Sequence, residues 1–488
     1  MTSSSVDIAA VPGSPNGAGR AAPIRFLFTT LQHIESDFYG RVGAELQRRG
    51  HEVAHVTYSR RAASELERQG FTAFCLPDRM AALGFELDLD AEAARIVSSY
   101  DTPTLRDIHR TDFVCDGRPE EWSVERTVRH MLAFEQIFAE WGPQIVVPEV
   151  GNETIRRSAH LVGLARGVPV LFLFYTIFPE PLRLYVDTMD APIVAPDQLR
   201  ELSAPERARV EEFIDDFIRR DEPIREYRDP GVTSTRLRMF ARHVGVKLLF
   251  DRDNEYLRPL HWTLGTIRET LRARAAGFYY EALRPTRPYV YFPLHLMDDY
   301  KLKSVIPHCA DQLAIVEQVA RSLPHGYDLV VKEHPMSIGR NKLSTLARLR
   351  RIRNARLVPA RTSSHDLIAG AEAVAVISST VGLEALLHGK PVLTIGRPFY
   401  SGFGITRDLD GSSGIREAVP ALLDDRPDRE LILRFLHSAR ERCHPGAPVL
   451  VDRSDANAVE LAASLESASH GLAVQAPVAV LPLNGRAG

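Results

Sequence analysis

The chain has little cysteine. Its 488 residues include four, Cys75, Cys115, Cys309 and Cys443, scattered and with no C-x-x-C pair. That excludes a disulfide framework and argues against a zinc site, so each reads as a small buried apolar residue. An excess of charge of one sign is also missing: 60 Lys and Arg stand against 63 Asp and Glu, a net charge of -3. A dedicated nucleic-acid binder needs a basic field, so that class is disfavoured. No uninterrupted apolar run is long enough to span a bilayer. Residues 1–23, rich in Ser, Gly, Ala and Pro, lack the basic start and apolar core of a signal peptide and predict a disordered tail. The expected location is the cytoplasm. Finally, no G-x-G-x-x-G follows the first strand, so the dinucleotide fingerprint of a dehydrogenase is absent.

What the sequence does contain is a repeated alternation of short apolar runs and amphipathic stretches, the pattern of α/β domains. Length alone suggests two or three domains. Residues 374–400 show the pattern most clearly. A β-branched run over 373–377 predicts a strand buried on both faces. Ser378, Ser379 and Thr380 stand where a helix begins, and Leu383, Leu386 and Leu387 give it an apolar stripe. Gly389 and Pro391 stop it, and a second buried strand follows over 392–395. In such a sheet the strand ends and helix starts share the edge where ligands bind, and a helix N-terminus favours an anion. Simple capping explains Ser379 and Thr380 on their own. Glu384 fits neither capping box; it lies one turn beyond Thr380 on the same face, either as a solvated surface acid or as an acceptor for ribose hydroxyls.

The first half begins with a strand over 24–30, a helix over 36–49 and a strand over 52–58, a Rossmann-like start, and a helix–strand repeat over 61–77. Residues 78–126 offer no clear period. A helix is expected over 127–141, strands over 145–148 and 170–174, and a helix over 154–166 between them. Glu149 and Glu153 follow a strand end and are general-base candidates, although a first-turn charge explains Glu153. Residues 197–283 turn charged and helical. Their basic, apolar stretch 236–274 reads as a connector with a solvated basic face, with contact to an anionic membrane or an acidic glycan as the sharper alternative. The second domain opens with a strand over 289–293. It brings three strand ends together: His295 to Asp299, Lys332-Glu333-His334-Pro335, and Ser378 to Gly382. Lys332 and His334 can neutralise a phosphate, His334 can protonate a leaving phosphate, and Pro335 holds His334 in an extended backbone. Asp298-Asp299 is weak evidence for a metal site, and none is expected. Closing helices are expected over 425–444 and 457–467.

These same segments, 289–298, 331–335, 363–368, 377–386 and Gly389-Lys390-Pro391-Val392, resemble the bacterial capsule polysaccharide synthesis family, which includes the Kdo transferases of capsule assembly. The likeness covers about 289–406, and more weakly 156–187. It implies a GT-B fold, two Rossmann-like domains facing across a cleft, with boundaries here at 24–195 for the acceptor domain, 196–288 for a helical connector, 289–455 for the nucleotide-sugar domain and 456–488 for a closing helix and flexible tail. It implies a nucleotide-sugar donor, CMP-linked among the options, no cofactor, and a glycan or glycolipid acceptor. By that resemblance His334, Ser379 and Thr380 contact the donor phosphate and Glu384 holds the ribose. His295, Lys332, Pro335, Ser378 and Gly382 complete the expected donor site. Where relatives carry an acidic pair and Gly, this chain has Tyr175-Thr176-Ile177, which leaves Glu149 as the substitute base. The expectation is therefore an inverting, metal-independent glycosyltransferase of cell-surface polysaccharide. The alternatives are a non-catalytic glycan-binding or assembly protein and a nucleotide-sugar 2-epimerase.

Overall fold

Short β-branched runs become central strands here because parallel strands are covered on both faces. The computed structural model describes residues 22–84, 87–100, 102–220, 231, 233–282 and 286–473, so most of both expected terminal tails lies outside the described residues. Within them the chain forms two units. Unit 1 is 1–191, 241–259 and 442–488, and unit 2 is 192–240 and 260–441.

Unit 1 is built on four parallel strands, β1 (Arg25–Thr30), β2 (Glu52–Thr57), β3 (Thr72–Cys75) and β4 (Ile145–Val147), in the order β3-β2-β1-β4. Leu27 of β1 stands beside Ala54 on one side and Val146 on the other, all fully buried. Each such aliphatic side chain contributes about 1.5–3 kcal/mol by leaving water. The helix His33–Arg48 crosses from β1 to β2 and puts Phe38, Tyr39, Val42 and Leu46 into the core. Gly50, at φ 98°, turns the chain after it, a conformation that glycine adopts without strain. The expected helix over 127–141 is longer, Glu120–Trp141. The stretch without a readable period holds the further helices Leu76–Ala82, Leu89–Ser99 and Arg106–His109. The strand expected over 170–174 is β5 (Leu171–Tyr175). It pairs antiparallel with β6 (Leu182–Val186) and touches β4 only through the bridge from Val146 to Val170.

Unit 2 is a six-stranded parallel sheet of β7 (Tyr289–Pro293), β8 (Asp328–Lys332), β9 (Ala355–Val358), β10 (Ala373–Val376), β11 (Val392–Thr394) and β12 (Arg407–Asp408). Its order is β12-β11-β10-β7-β8-β9. Every residue of β7, β8 and β10 is buried. Both units are thus Rossmann-like α/β, as the alternation predicts.

The units do not divide at the expected boundaries. The last described helix, Asp455–Ala473, packs on His33–Arg48 and sends Leu461, Ala462 and Leu465 into the unit 1 core. Part of the expected connector, 241–259, also belongs to unit 1, because Tyr256 is fully buried there. Its hydroxyl donates to Asp112 at 2.7 Å and accepts from Arg126 at 3.0 Å. Arg126 in turn bonds Asp112 at 3.2 Å and Glu255 at 2.5 Å. A buried arginine is tolerated only when its donors are satisfied in this way. The stretch 236–274 is helical as expected, in Ser234–Leu249 and Pro259–Ala276, and beside its basic residues the exposed face carries Leu237, Leu248, Leu264 and Leu271.

Candidate functional site

In unit 2 the three expected strand ends do converge. β7 lies between β10 and β8, so the loops carrying His295, Lys332 to His334 and Ser378 to Thr380 leave the sheet side by side. Alternation along the chain after β8 sorts the side chains. Glu333 turns into the structure, where Tyr280 donates to one carboxylate oxygen and Asn341 to the other. Lys332 is buried; its Nζ donates to Ser364 Oγ at 2.6 Å, and burial lowers its pKa to about 8 despite the nearby charge of Glu384.

Glu384 is half-buried rather than solvated, which removes the surface reading. Burial raises its pKa to about 7, while Lys332 and a hydrogen bond from the Thr380 side chain pull it back down. A lysine and a glutamate both held near neutrality within one polar recess are suited to bind a ligand with acidic and hydroxyl groups.

His334 differs from expectation in its proton. Its backbone is extended, at φ -60° and ψ 137°, and its Nδ1 accepts the Met336 amide at 3.1 Å. The proton therefore sits on Nε2. Burial, with help from His295, Lys332 and Arg340, lowers the pKa to about 4. At neutral pH the ring is a neutral Nε2–H donor, not the ready proton source that an unperturbed imidazole would be.

His295 is a brace. Its Nε2 accepts the Ser378 amide at 3.1 Å, and its Nδ1 faces Asp299 at 3.2 Å, so both ring nitrogens are in use. Gly382 is buried under Tyr400, whose hydroxyl would meet any added Cβ and donates to the Ser379 carbonyl at 2.5 Å. Gly382 therefore permits a close approach and shapes the turn; it does not line the recess. Ser379 Oγ accepts the Val381 amide at 3.3 Å within that turn. The helix that follows, Val381–Leu387, has seven residues, and its first turn has no side-chain cap. Its dipole is short, so Lys332 and His334 must carry most of any anion binding. Beside this edge, Thr270, Arg274, Tyr280, Ile338, Pro359 and Arg361 line a cavity of about 420 Å³ that meets the site through the contact of Tyr280 with Glu333.

In unit 1, Glu149 follows β4 directly. It is buried, and its φ of 62° is left-handed, a strained conformation for a residue with a side chain. One carboxylate oxygen accepts the Val150 amide at 3.3 Å, and the other has no partner. Burial first, and Glu35 next, push its pKa to about 7 against the pull of Arg156. Glu153 precedes the helix Thr154–Ala165 and pairs with Arg156 at 3.3 Å, the first-turn role foreseen for it. Glu35 and Arg156 were not singled out by sequence. Arg156 donates to the Val150 carbonyl at 2.7 Å and to Glu35 at 3.1 Å, and Glu35 accepts the Leu31 amide at 2.8 Å. The first turns of the helices that follow β1 and β4, neighbours in the sheet, are locked together by this ion pair; the place of Glu35 just after the first strand was the available clue. Tyr175-Thr176-Ile177 leads instead into the β5–β6 turn, with the Thr176 amide donating to the Pro181 carbonyl at 2.7 Å.

Two groups, His51 with Glu466 and His470, and Glu206 with His437 and Glu441, each lie within reach of one shared ion. Both are already tied by ion pairs, to Arg49 and Arg200 respectively, and neither contains a candidate site residue.

The family described as "Capsule polysaccharide biosynthesis protein" matches residues 235–433, about two-fifths of the chain. The capsule polysaccharide modification protein LipA of Neisseria meningitidis serogroup B is 28% identical over 117 residues, 24% of this chain and 16% of LipA. The match thus spans less than a fifth of that relative's length. Among solved structures, the β-Kdo 2,7 transferase KpsC of Thermosulfurimonas dismutans aligns with 66% of this chain and 88% of its own at 18% identity and a TM-score of 0.33. The UDP-GlcNAc 2-epimerase of Neisseria meningitidis, bound to UDP-GlcNAc, aligns with 91% and 98% at 11% identity and a TM-score of 0.28. Likenesses this remote fix neither activity nor substrate. Over residues 235–433, this chain is similar to the capsule polysaccharide biosynthesis family.

Proposed function

We propose that the protein is a glycosyltransferase of cell-surface polysaccharide assembly, of the GT-B class, that draws on a nucleotide-sugar donor. The observation that carries this reading is the convergence of Lys332 and His334, at the end of β8, with Glu384, in the helix after β10, on the same edge of the unit 2 sheet, with β7 between the two strands. Lys332 supplies charge to a diphosphate or monophosphate oxygen, the Nε2–H of neutral His334 donates to the same group, and Glu384 accepts from ribose hydroxyls. The nucleobase then extends toward the cavity bounded by Tyr280 and Pro359.

In the reaction, an acceptor hydroxyl attacks the anomeric carbon and the bond from that carbon to the phosphate oxygen breaks. The nucleotide leaves with the electron pair, and the hydroxyl proton passes to a carboxylate. Within unit 1, Glu149 has the titration that a general base needs, because a carboxylate with a pKa of about 7 is half ready at neutral pH. No step of this scheme calls for a metal. Attack from the face opposite the nucleotide inverts the anomeric centre.

A thermal-shift series with CMP, CDP, UDP and GDP tests the donor site, since a ligand that binds only the folded chain raises its melting temperature. One nucleotide is expected to raise it, and Lys332→Met to remove the rise. No shift with any of them would favour the second reading, a non-catalytic glycan-binding or assembly protein. That reading draws support from Tyr175-Thr176-Ile177 standing where relatives of this kind carry acids.

A further inference from the structure

The helix Pro259–Ala276 lies on unit 2 the wrong way round for a protein surrounded by water. Its inner side carries Thr270 and Ala273, which line the cavity, and Ala273 reaches Gly339. Its outer side carries Leu260, Leu264, Ile267 and Leu271, and the stripe runs on to Phe278; these five are 44% to 81% exposed. They recur at the three- and four-residue steps that make one continuous helix face. Amphipathic helices of globular proteins bury such a stripe, and exposed apolar patches of this kind mark interaction surfaces.

The charge on that face selects the partner. Arg268 and Arg274 are exposed within the stripe, and neither is ion-paired among the described residues. Between 259 and 278 the single carboxylate is Glu269, on the side of the helix whose backbone packs against Gly339. The preceding helix, Ser234–Leu249, has the same composition: no carboxylate, no buried residue, and Leu237 and Leu249 exposed. A second copy of the chain would bring arginines against arginines with no acid to pair them, which disfavours self-association. An anionic lipid surface answers both features, with acyl chains for the leucines and headgroup phosphates for the arginines.

We propose that the outer face of the helix Pro259–Ala276, extended by Phe278, lies flat on an anionic membrane surface. The leucines enter the boundary of the acyl region, and Arg268 extends along them to reach the phosphates. The helix does not cross the bilayer, as no described helix is long and apolar enough to do so. Arg274, at the end of this face, also lines the cavity beside Tyr280, whereas Leu260, Leu264, Ile267, Leu271 and Arg268 line neither that cavity nor the strand ends of the candidate donor site, so the inference rests on these residues and stands apart from the proposed activity.

Flotation of the full chain with vesicles tests it. The chain should float with vesicles of equal parts phosphatidylcholine and phosphatidylglycerol, and not with phosphatidylcholine alone. Added salt should weaken the binding. The double substitution L264E/L271E should lower the bound fraction about tenfold or more, and R268E should lower it most at low salt. These side chains are exposed, so the melting temperature of each variant should match the parent, which separates lost binding from lost folding. Absence of flotation with the anionic vesicles, or flotation unchanged in L264E/L271E, would overturn the proposal. So would a dimer in sedimentation velocity that L264E/L271E converts to monomer, since the stripe would then be a contact between copies.

Discussion

Lys332 and Glu384 oppose each other's neutralisation. Burial pushes the lysine down to about 8 and the glutamate up to about 7, and the field of each moves the other back toward its charged form. Both are therefore charged together only in a narrow interval near neutral pH. Nucleotide affinity, measured by calorimetry across pH, should peak there. It should fall as pH drops below about 7 and Glu384 is protonated, and again as pH climbs past about 8 and Lys332 loses its charge. In Lys332→Met without nucleotide, the Glu384 carboxyl, followed by its NMR chemical shift, should titrate at higher pH than in the parent, because it loses its cation. An unchanged titration in this variant would refute the coupling.

His334 leads to a prediction about mechanism. A ring that stays neutral down to a pKa of about 4 acts through its Nε2–H. His334→Ala should cut transfer by about 10²–10³, the usual loss on removing one donor to a developing anion. The cap on the Met336 amide goes with it, for about 1 kcal/mol of stability. If His334 were instead a proton donor, the wild-type rate profile would show a limb near 6 that the variant lacks.

Glu149 combines a burial penalty with a strained backbone. A carboxyl whose pKa rises from 4.5 to about 7 on folding favours its protonated form in the native state. Its contribution to stability is full below about 4.5, is lost as pH rises toward about 7, and stays flat above that. Glu149→Gln should therefore stabilise the fold by up to about 3 kcal/mol above pH 7, with little effect at pH 4, while abolishing transfer. Chemical denaturation at the two pH values checks the first part, and sugar transfer to any accepted glycan checks the second.

Gly382 and Tyr400 form a steric pair that can be tested by a double-mutant cycle. Gly382→Ala drives a methyl group into the Tyr400 hydroxyl and should cost about 1–3 kcal/mol, with weaker nucleotide binding as the turn at Ser379 shifts. Tyr400→Phe opens room for that methyl group, so the pair of substitutions should cost less than the sum of the two alone. Strict additivity would show that the contact is relaxed elsewhere.

The sequence made the parallel strands legible because each is a local run of apolar residues. The run 373–377 and the stop at Gly389 are visible without any partner. What stayed hidden depends on distant chain. Nothing near Tyr256 announces that its hydroxyl will end on Asp112, so 241–259 reads as connector. β6 was missed because its pairing with β5 follows a loop whose anchor is the Thr176 amide. The candidate residues are legible from their positions at strand ends, which the sheet order brings side by side, but their side-chain partners are not. Residue type alone made His295 a plausible ligand, whereas its place between Ser378 and Asp299 makes it a strut. Glu35 and Arg156 escaped notice because an ion pair between two helices distant in sequence has no signature in either one.

The helix Asp455–Ala473 closes a core whose other members, Val449 apart, were laid down hundreds of residues earlier. On a ribosome, the strands that emerge first must wait with one flank uncovered while all of unit 2 is synthesised. The later half of the protein can settle into its own sheet before the earlier half is sealed. Nascent chains stalled ahead of Asp455 should for that reason present unit 1 to chaperones and proteases long after unit 2 has become resistant.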